Sequence, residues 1–237
     1  MILELLFPGR CLLCGAELAF RAGAGEPVCR ECREALAPLA EARRCAVCSL
    51  PLISEWRLCT RCRKREYEFE SNLSLFEYRD EIRELLYQYK FRNRLRLARV
   101  LAGLYARALR AGFPGAVLVP VPASPQAVRR RGWDPVERIC RLLEAEYGFA
   151  VSRALVRRAG PPQKLLGYEE RLRNLRGSIR LRRPAGRQRA IRDLLIRDPM
   201  LIDDVFTTGA TASECARLLR QGGAWRVRVL TLAIDVP

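Results

Sequence analysis

The rhythm of apolar and polar positions in this chain changes near residue 67. Before that point hydrophobic residues are scattered between paired cysteines; after it, short apolar runs alternate with helical spacing. Positions 71–78 (SNLSLFEY) read as a strand. Positions 81–91 read as a helix with Ile82, Leu85, Leu86 and Tyr89 on one face, and 95–109 as a second helix carrying Leu97, Val100, Leu101, Leu104 and Leu109. A short buried strand at 116–122 is halted by Pro120 and Pro122. An amphipathic helix at 135–147 carries Val136, Ile139, Cys140, Leu142 and Leu143, and a short strand follows at 151–156.

Positions 159–164 are rich in breakers, the composition of mobile loops over active sites. Positions 169–175 begin a short helix with Arg171, Arg173 and Asn174, and 182–192 form a basic, turn-rich surface excursion. An apolar run then enters two adjacent carboxylates, Asp203 and Asp204. A Thr/Gly turn follows, then a helix with Ala212, Cys215, Ala216, Leu218 and Leu219 on one side, closed by Gly222 and Gly223. Positions 227–234 make a final buried strand. Strands alternating with helices predict an α/β fold with a doubly wound, mainly parallel sheet. Such sheets bind ligands beyond the C-terminal ends of their strands.

The cysteines change the picture for the first quarter of the chain. Cys11-x₂-Cys14, Cys29-x₂-Cys32, Cys45-x₂-Cys48 and Cys59-x₂-Cys62 pace residues 1–65 as one ribbon unit used twice. Four thiolates on two facing knuckles complete a closed tetrahedral Cys₄ site, and zinc prefers such soft ligands. Two structural zinc ions are therefore expected. Spacing leaves open whether the pairs combine in sequence or interleave. Cys140 and Cys215 lie alone in helical patterns and read as core. The expected division is a small N-terminal double zinc-ribbon module over 1–65 and a larger domain over 66–237.

Histidine is absent, which excludes His-based general bases, Ser-His-Asp triads and Cys₂His₂ zinc sites. A formal charge of +17 falls to about +13 once eight thiolates on two zinc ions are counted. The basic residues are nearly all arginine, with lysine only at Lys64, Lys90 and Lys164, a skew that can reflect base composition; a basic chain still attracts polyanions. No run approaches the ~20 apolar residues of a membrane span. The opening seven residues include an acid and lack a basic start, so the expected setting is cytoplasmic, without membrane insertion.

The candidate chemistry centres on 200–211 (MLIDDVFTTGAT). Thr207, Thr208, Gly209, Ala210 and Thr211 offer backbone N–H groups, hydroxyls and a helix start to one phosphate. Asp203 and Asp204 suit hydroxyl groups, such as a ribose 2′/3′ pair, or a metal. In a bland reading they are solvated turn residues. The stretch resembles the signature loop of type I phosphoribosyltransferases, whose acidic pair grips the ribose of phosphoribosyl pyrophosphate while the turn holds the 5′-phosphate. After the strand at 116–122, Arg129, Arg130, Arg131 and Gly132 read as a loop suited to pyrophosphate, or equally as a solvated helix end. Lys90 stands at a helix end, where the dipole alone would favour it.

Over nearly its full length the chain resembles the competence protein F (ComF) family, a double zinc ribbon joined to a phosphoribosyltransferase domain. The marks are the four cysteine pairs, Lys90-Phe91, Val119-Pro120-Val121-Pro122, Arg131-Gly132, Gln163, Arg171-x₂-Asn174 with Gly177, and the DDVFTTGAT loop. The resemblance implies binding of phosphoribosyl pyrophosphate with Mg²⁺ through Asp203, Asp204, the 207–211 turn, Arg130 and Gln163. Arg131 and Lys90 would aid departure of pyrophosphate, and the acceptor is unspecified. It also implies a role in DNA uptake with competence proteins. The alternative is a non-catalytic factor binding single-stranded DNA, with Trp56, Tyr67 and Trp133 as stacking candidates. Two positions depart from the family pattern. Ser124 stands where His is usual, and Trp133-Asp134-Pro135 replaces Phe-Asn-Gln, which removes amide donors and adds a negative charge.

Overall fold

The computed structural model describes residues 10–18, 27–36, 43–158, 175–182 and 198–236. Among the described residues six strands are formed: β1 (Ser71–Glu77), β2 (Val117–Pro120), β3 (Leu155–Arg157), β4 (Ile179–Leu181), β5 (Pro199–Phe206) and β6 (Arg228–Ile234). The helices are α1 (Arg30–Ala35), α2 (Thr60–Arg63), α3 (Asp80–Phe91), α4 (Leu97–Gly112), α5 (Pro125–Arg131), α6 (Pro135–Tyr147) and α7 (Ala210–Gln221). Four strands make one parallel sheet in the order β1-β6-β5-β2, and β3 and β4 pair antiparallel beside it.

The sheet is covered on both faces, as an all-parallel sheet must be. Strand periodicity divides β5 between them: Met200 and Ile202 join one core with Leu118, Leu230 and Leu232, whereas Leu201 joins the other with Val119 and Val229. The first core is filled by Leu85, Leu86 and Tyr89 of α3, Leu101 and Tyr105 of α4, and Ile139 and Leu143 of α6. The second takes Ala212, Cys215, Ala216 and Leu219 of α7 with Leu155 and Ile179 of the small hairpin. The cysteine-paced segment divides in the same way: Cys11, Val28 and Leu36 pack into the first core, and Cys45, Cys48, Cys59 and Cys62 into the second.

The predicted α/β class holds, and so do the elements around 71–78, 81–91, 135–147 and 227–234. Of the two readings of the arginine stretch, a loop or a helix end, the helix end is the one formed: Pro125–Arg131 make α5, which then turns on Gly132 in the left-handed region (φ 85°). Ser124 Oγ accepts from the Ala127 N–H and Pro125 occupies the first turn, which starts the helix; the three arginines sit in its last turn, where the dipole favours cations. Among the described residues no helix is long and apolar enough to cross a membrane.

Candidate functional site

The two cysteine clusters resolve the pairing that spacing left open. Cys11, Cys14, Cys29 and Cys32 form one group and Cys45, Cys48, Cys59 and Cys62 the other, with all four sulfurs of each lying within 4.8 Å of one another. A tetrahedron with Zn–S bonds of ~2.3 Å has edges of about 3.8 Å. The Cys14–Cys29 and Cys48–Cys59 sulfur separations are 3.7 and 3.6 Å, matching such an edge and far exceeding a disulfide bond of ~2.05 Å. One thiol of each group is drawn toward ionisation, while burial and the neighbouring cysteines push Cys32 and Cys62 the other way. A hydrogen bond from Cys62, assisted by the Leu50 N–H and the Arg61 guanidinium, draws Cys48 down to about 5. Burial opposes ionisation of Cys11, but the N–H groups of Cys14 and Cys29 outweigh it and bring that thiol to about 6. The donor set fits two structural zinc ions, the second of them the more enclosed, since all four of its cysteines are buried while Cys14 is exposed.

At the C-terminal end of β5, Asp203 and Asp204 lie side by side, with the Asp204 N–H donating to Asp203 Oδ1 at 2.9 Å. Asp203 is set into the sheet opposite Thr231 of β6, and Tyr105 of α4 donates its hydroxyl to the Asp203 carbonyl at 2.5 Å. Burial, reinforced by the charge of Asp204, pushes the Asp203 carboxyl up to about 8. The chain then passes Thr207 and Thr208 to Gly209, which caps α7 in the left-handed region (φ 80°). A side chain could not follow there: a Cβ on Gly209 would stand 2.7 Å from both Phe206 and Tyr67. The turn thus ends on the N-terminus of a twelve-residue helix, where peptide N–H groups and the dipole favour an anion.

Lys90, from the last turn of α3, reaches this acidic pair. Its Nζ lies 2.6 Å from Asp204 Oδ2, with both side chains largely buried. Arg131 donates from Nε to the Lys90 carbonyl at 3.1 Å and lies between the rings of Phe91 and Trp133. Lys90, Phe91, Asn93, Arg130 and Arg131 line a cavity of about 330 Å³. The substituted residues after Gly132 have clear work. Trp133 packs on Tyr89 and donates to Asn93 Oδ1 at 3.1 Å. Asp134 caps α6, accepting from the N–H groups of Val136 and Glu137, and also from Ala123 in the segment after β2. Its charge is therefore held by three peptide dipoles rather than left facing the cavity.

Sequence reasoning assigned no part to Arg61 or Tyr105, and treated Tyr67 only as a surface for stacking bases. Arg61, between two ligands of the second tetrad, donates to the Thr207 carbonyl at 2.9 Å, and Tyr67 donates to the Thr208 carbonyl at 3.1 Å. Their separation from the turn in sequence left no local signal. Gln163, Arg171 and Asn174 lie outside the described residues.

An α/β domain with two four-cysteine centres is the class that fold and site define. Residues 2–63 match the family model described as a double zinc ribbon domain. The chain is 30% identical to the DNA utilization protein YhgH of Salmonella typhimurium, over 96% of this chain and 98% of that protein. It is 25% identical to competence protein F of Haemophilus influenzae, over 96% and 97% of the two chains. To competence protein ComFC of Streptococcus pneumoniae it is 24% identical, over 94% and 99%. The chain belongs to the competence protein F family.

Proposed function

We propose that the protein binds phosphoribosyl pyrophosphate at the end of β5 and transfers its phosphoribosyl group to an acceptor, in the service of DNA uptake. The observation that carries this reading is the junction of three elements: the Asp203–Asp204 pair, the 207–211 turn on the N-terminus of α7, and Lys90 with Arg131 on the adjoining wall. A phosphate cradle, a hydroxyl-accepting pair and a cationic wall in that order match the three parts of a phosphorylated, pyrophosphate-bearing sugar.

In this reading Thr207, Thr208, Gly209, Ala210 and Thr211 hold the 5′-phosphate, and Asp203 and Asp204 accept the ribose hydroxyls. Arg130, Arg131 and Lys90 face the pyrophosphate and stabilise the charge that grows on it as the C1′–O bond breaks, while the sugar becomes oxocarbenium-like. The two carboxyl groups would supply hard oxygen donors of the kind that Mg²⁺ takes, Asp203 on giving up its proton. Magnesium, when bound with the substrate, neutralises part of the pyrophosphate charge. Lys90 is engaged by Asp204, so diphosphate binding competes with that ion pair. Gln163 belongs to the site by family resemblance.

Calorimetric titration of phosphoribosyl pyrophosphate, with and without Mg²⁺, into wild type and Asp204→Asn tests this reading. Loss of the carboxylate should weaken the full ligand by ~1.5–3 kcal/mol. Pyrophosphate alone should bind Asp204→Asn no more weakly than wild type, because Lys90 is released. Equal affinity of both proteins for the full ligand would mean that the aspartates do not grip ribose.

A second reading, a single-stranded DNA surface, is favoured by a separate feature. Arg57, Arg226 and Arg228 line a cavity of about 650 Å³ with Phe113, and two exposed tryptophans, Trp56 and Trp225, adjoin two of those arginines in sequence. Guanidinium groups beside exposed indoles suit a phosphodiester strand with stacked bases. Tyr67 and Trp133, the other stacking candidates, are instead packed against protein aromatics. The names of the relatives, DNA utilization and competence proteins, agree with either reading.

A further inference from the structure

The second cysteine tetrad touches the turn at the end of β5 through one side chain. Arg61 lies on the short helix α2 between the ligands Cys59 and Cys62. Its two terminal nitrogens point to different partners: one donates to the Thr207 carbonyl at 2.9 Å, and the other stands 3.7 Å from Cys48 Sγ. The guanidinium also lies over the Phe206 ring, 5.9 Å from its centroid. Its Nε is buried with no hydrogen-bond partner among the described residues, so the terminal nitrogens alone provide its polar anchoring. One residue of the metal knuckle thus spans from a thiolate to the turn.

A second donor acts beside it. Tyr67, just beyond the ribbon, donates to the Thr208 carbonyl at 3.1 Å, and its ring stacks on Phe69 and meets Phe206 edge-on. Two consecutive carbonyls of the turn are therefore drawn toward the ribbon. In a trans peptide the carbonyl of one residue and the N–H of the next point in opposite directions. Anchoring the Thr207 and Thr208 carbonyls consequently turns the Thr208 and Gly209 N–H groups away from the ribbon. The turn passes close under the same rings, since a Cβ added at Gly209 would stand 2.7 Å from both Phe206 and Tyr67.

We infer that Arg61 and Tyr67 are positioning residues for the anion site. The second Cys₄ centre, through Arg61, holds the turn with its N–H groups aimed at a phosphate monoester before any ligand arrives. This inference rests on the reading of the 207–211 turn as a phosphate cradle. It assigns the second zinc centre a share in ligand affinity as well as in folding. A thiolate bound to zinc keeps partial negative charge and remains an acceptor for the guanidinium, so loading that centre preserves the link.

The test uses the full, zinc-loaded chain and three variants, Arg61→Ala, Arg61→Lys and Tyr67→Phe. Three quantities are measured: zinc per chain, hydrogen exchange of the peptide covering 205–212, and affinity for ribose 5-phosphate. Arg61→Ala and Tyr67→Phe should keep the wild-type zinc content. Both should exchange faster in that peptide and bind ribose 5-phosphate about tenfold more weakly, the effect of losing one hydrogen bond of the charged or polar kind. Arg61→Lys should fall between wild type and Arg61→Ala, because an ammonium reaches one partner and not both. Tyr67→Phe removes only a hydroxyl, so it answers the question even where Arg61→Ala loses zinc or fails to fold. Unchanged exchange and affinity in Tyr67→Phe and Arg61→Lys would overturn the inference. If the wild type binds no ribose 5-phosphate while the variants still loosen the turn, the positioning role stands and the phosphate reading fails.

Discussion

The ammonium of Lys90 lies 2.6 Å from a carboxylate oxygen of Asp204, which joins the last turn of α3 to the end of β5. The pair brings the cationic wall to the acidic pair and sets Arg131, bonded to the Lys90 carbonyl, over the same cavity. A helix-end lysine satisfied only by the dipole would have no such partner.

Replacing Lys90 with Met should therefore do two things at once. Pyrophosphate affinity should fall by about tenfold through loss of a charge-assisted contact, and Asp204 should be left without its ammonium. Lys90→Met combined with Asp204→Asn should lose more affinity than the two single effects added, since either substitution alone already removes the competing ion pair and the double cannot remove it twice. A calorimetric double-mutant cycle measures this coupling.

Metal analysis should find two zinc ions per chain, and chelation should remove them in two phases. The first tetrad includes the exposed Cys14, so its zinc should leave first; the second, with four buried cysteines, should leave more slowly and with loss of the fold around α7. Cys11→Ser should retain one ion and Cys45→Ser should also lose one, with the greater loss of thermal stability in Cys45→Ser. Zinc release followed with a chromogenic chelator, alongside circular dichroism, distinguishes these outcomes.

Asp203 provides a pH signature. Its carboxyl holds a proton more tightly in the folded chain, with its pKa raised from 3.8 to about 8 by burial and by Asp204. The stabilisation is therefore complete below the unfolded value and is lost as pH rises through about 8. Histidine is absent, so no imidazole titrates between pH 6 and 8 to obscure it. Thermal midpoints of the zinc-loaded wild type should fall across that interval, whereas those of Asp203→Asn should be flatter. Parallel slopes for the two proteins would remove Asp203 as the cause.

Asp134 makes a structural prediction. Asp134→Ala leaves the N–H groups of Val136, Glu137 and Ala123 without their carboxylate and should cost about 1–3 kcal/mol in urea unfolding. Asp134→Asn, which keeps one acceptor oxygen, should recover most of that loss.

For the DNA reading, binding of an oligothymidylate should weaken with salt, with a log–log slope of about −0.7 per phosphate neutralised. Arg57→Ser with Arg226→Ser should flatten that slope, while Arg129→Ser with Arg130→Ser should leave it unchanged. Thr208→Val should abolish phosphoribosyl pyrophosphate binding and leave DNA binding nearly intact, because a diester backbone lacks the terminal monoester proposed as the ligand of the turn. Joint loss in a folded Thr208→Val protein would place the strand in the sugar-phosphate pocket.

Much of this molecule was legible in one dimension because the relevant chemistry is local. Two cysteines three apart make a knuckle wherever they occur, so the metal centres could be read from spacing. The buried run 200–202 and the helical spacing from Ala212 to Leu219 declared β5 and α7 around a turn rich in Thr and Gly. What spacing could not decide was which knuckles meet, and the folded chain pairs them in sequence. Nor could it tell that the arginine stretch after β2 is a capped helix, since Ser124 as a cap and Gly132 as a stop compete with a loop reading of equal local merit. Lys90 with Asp204, Tyr105 with Asp203, and Arg61 with Thr207 were beyond local reading for a further reason. Each joins elements far apart in the chain, and packing α3 and α4 on one face and the second ribbon on the other creates their neighbourhood. Residue type and spacing determine what a side chain can bind, whereas burial against distant elements determines what it does meet.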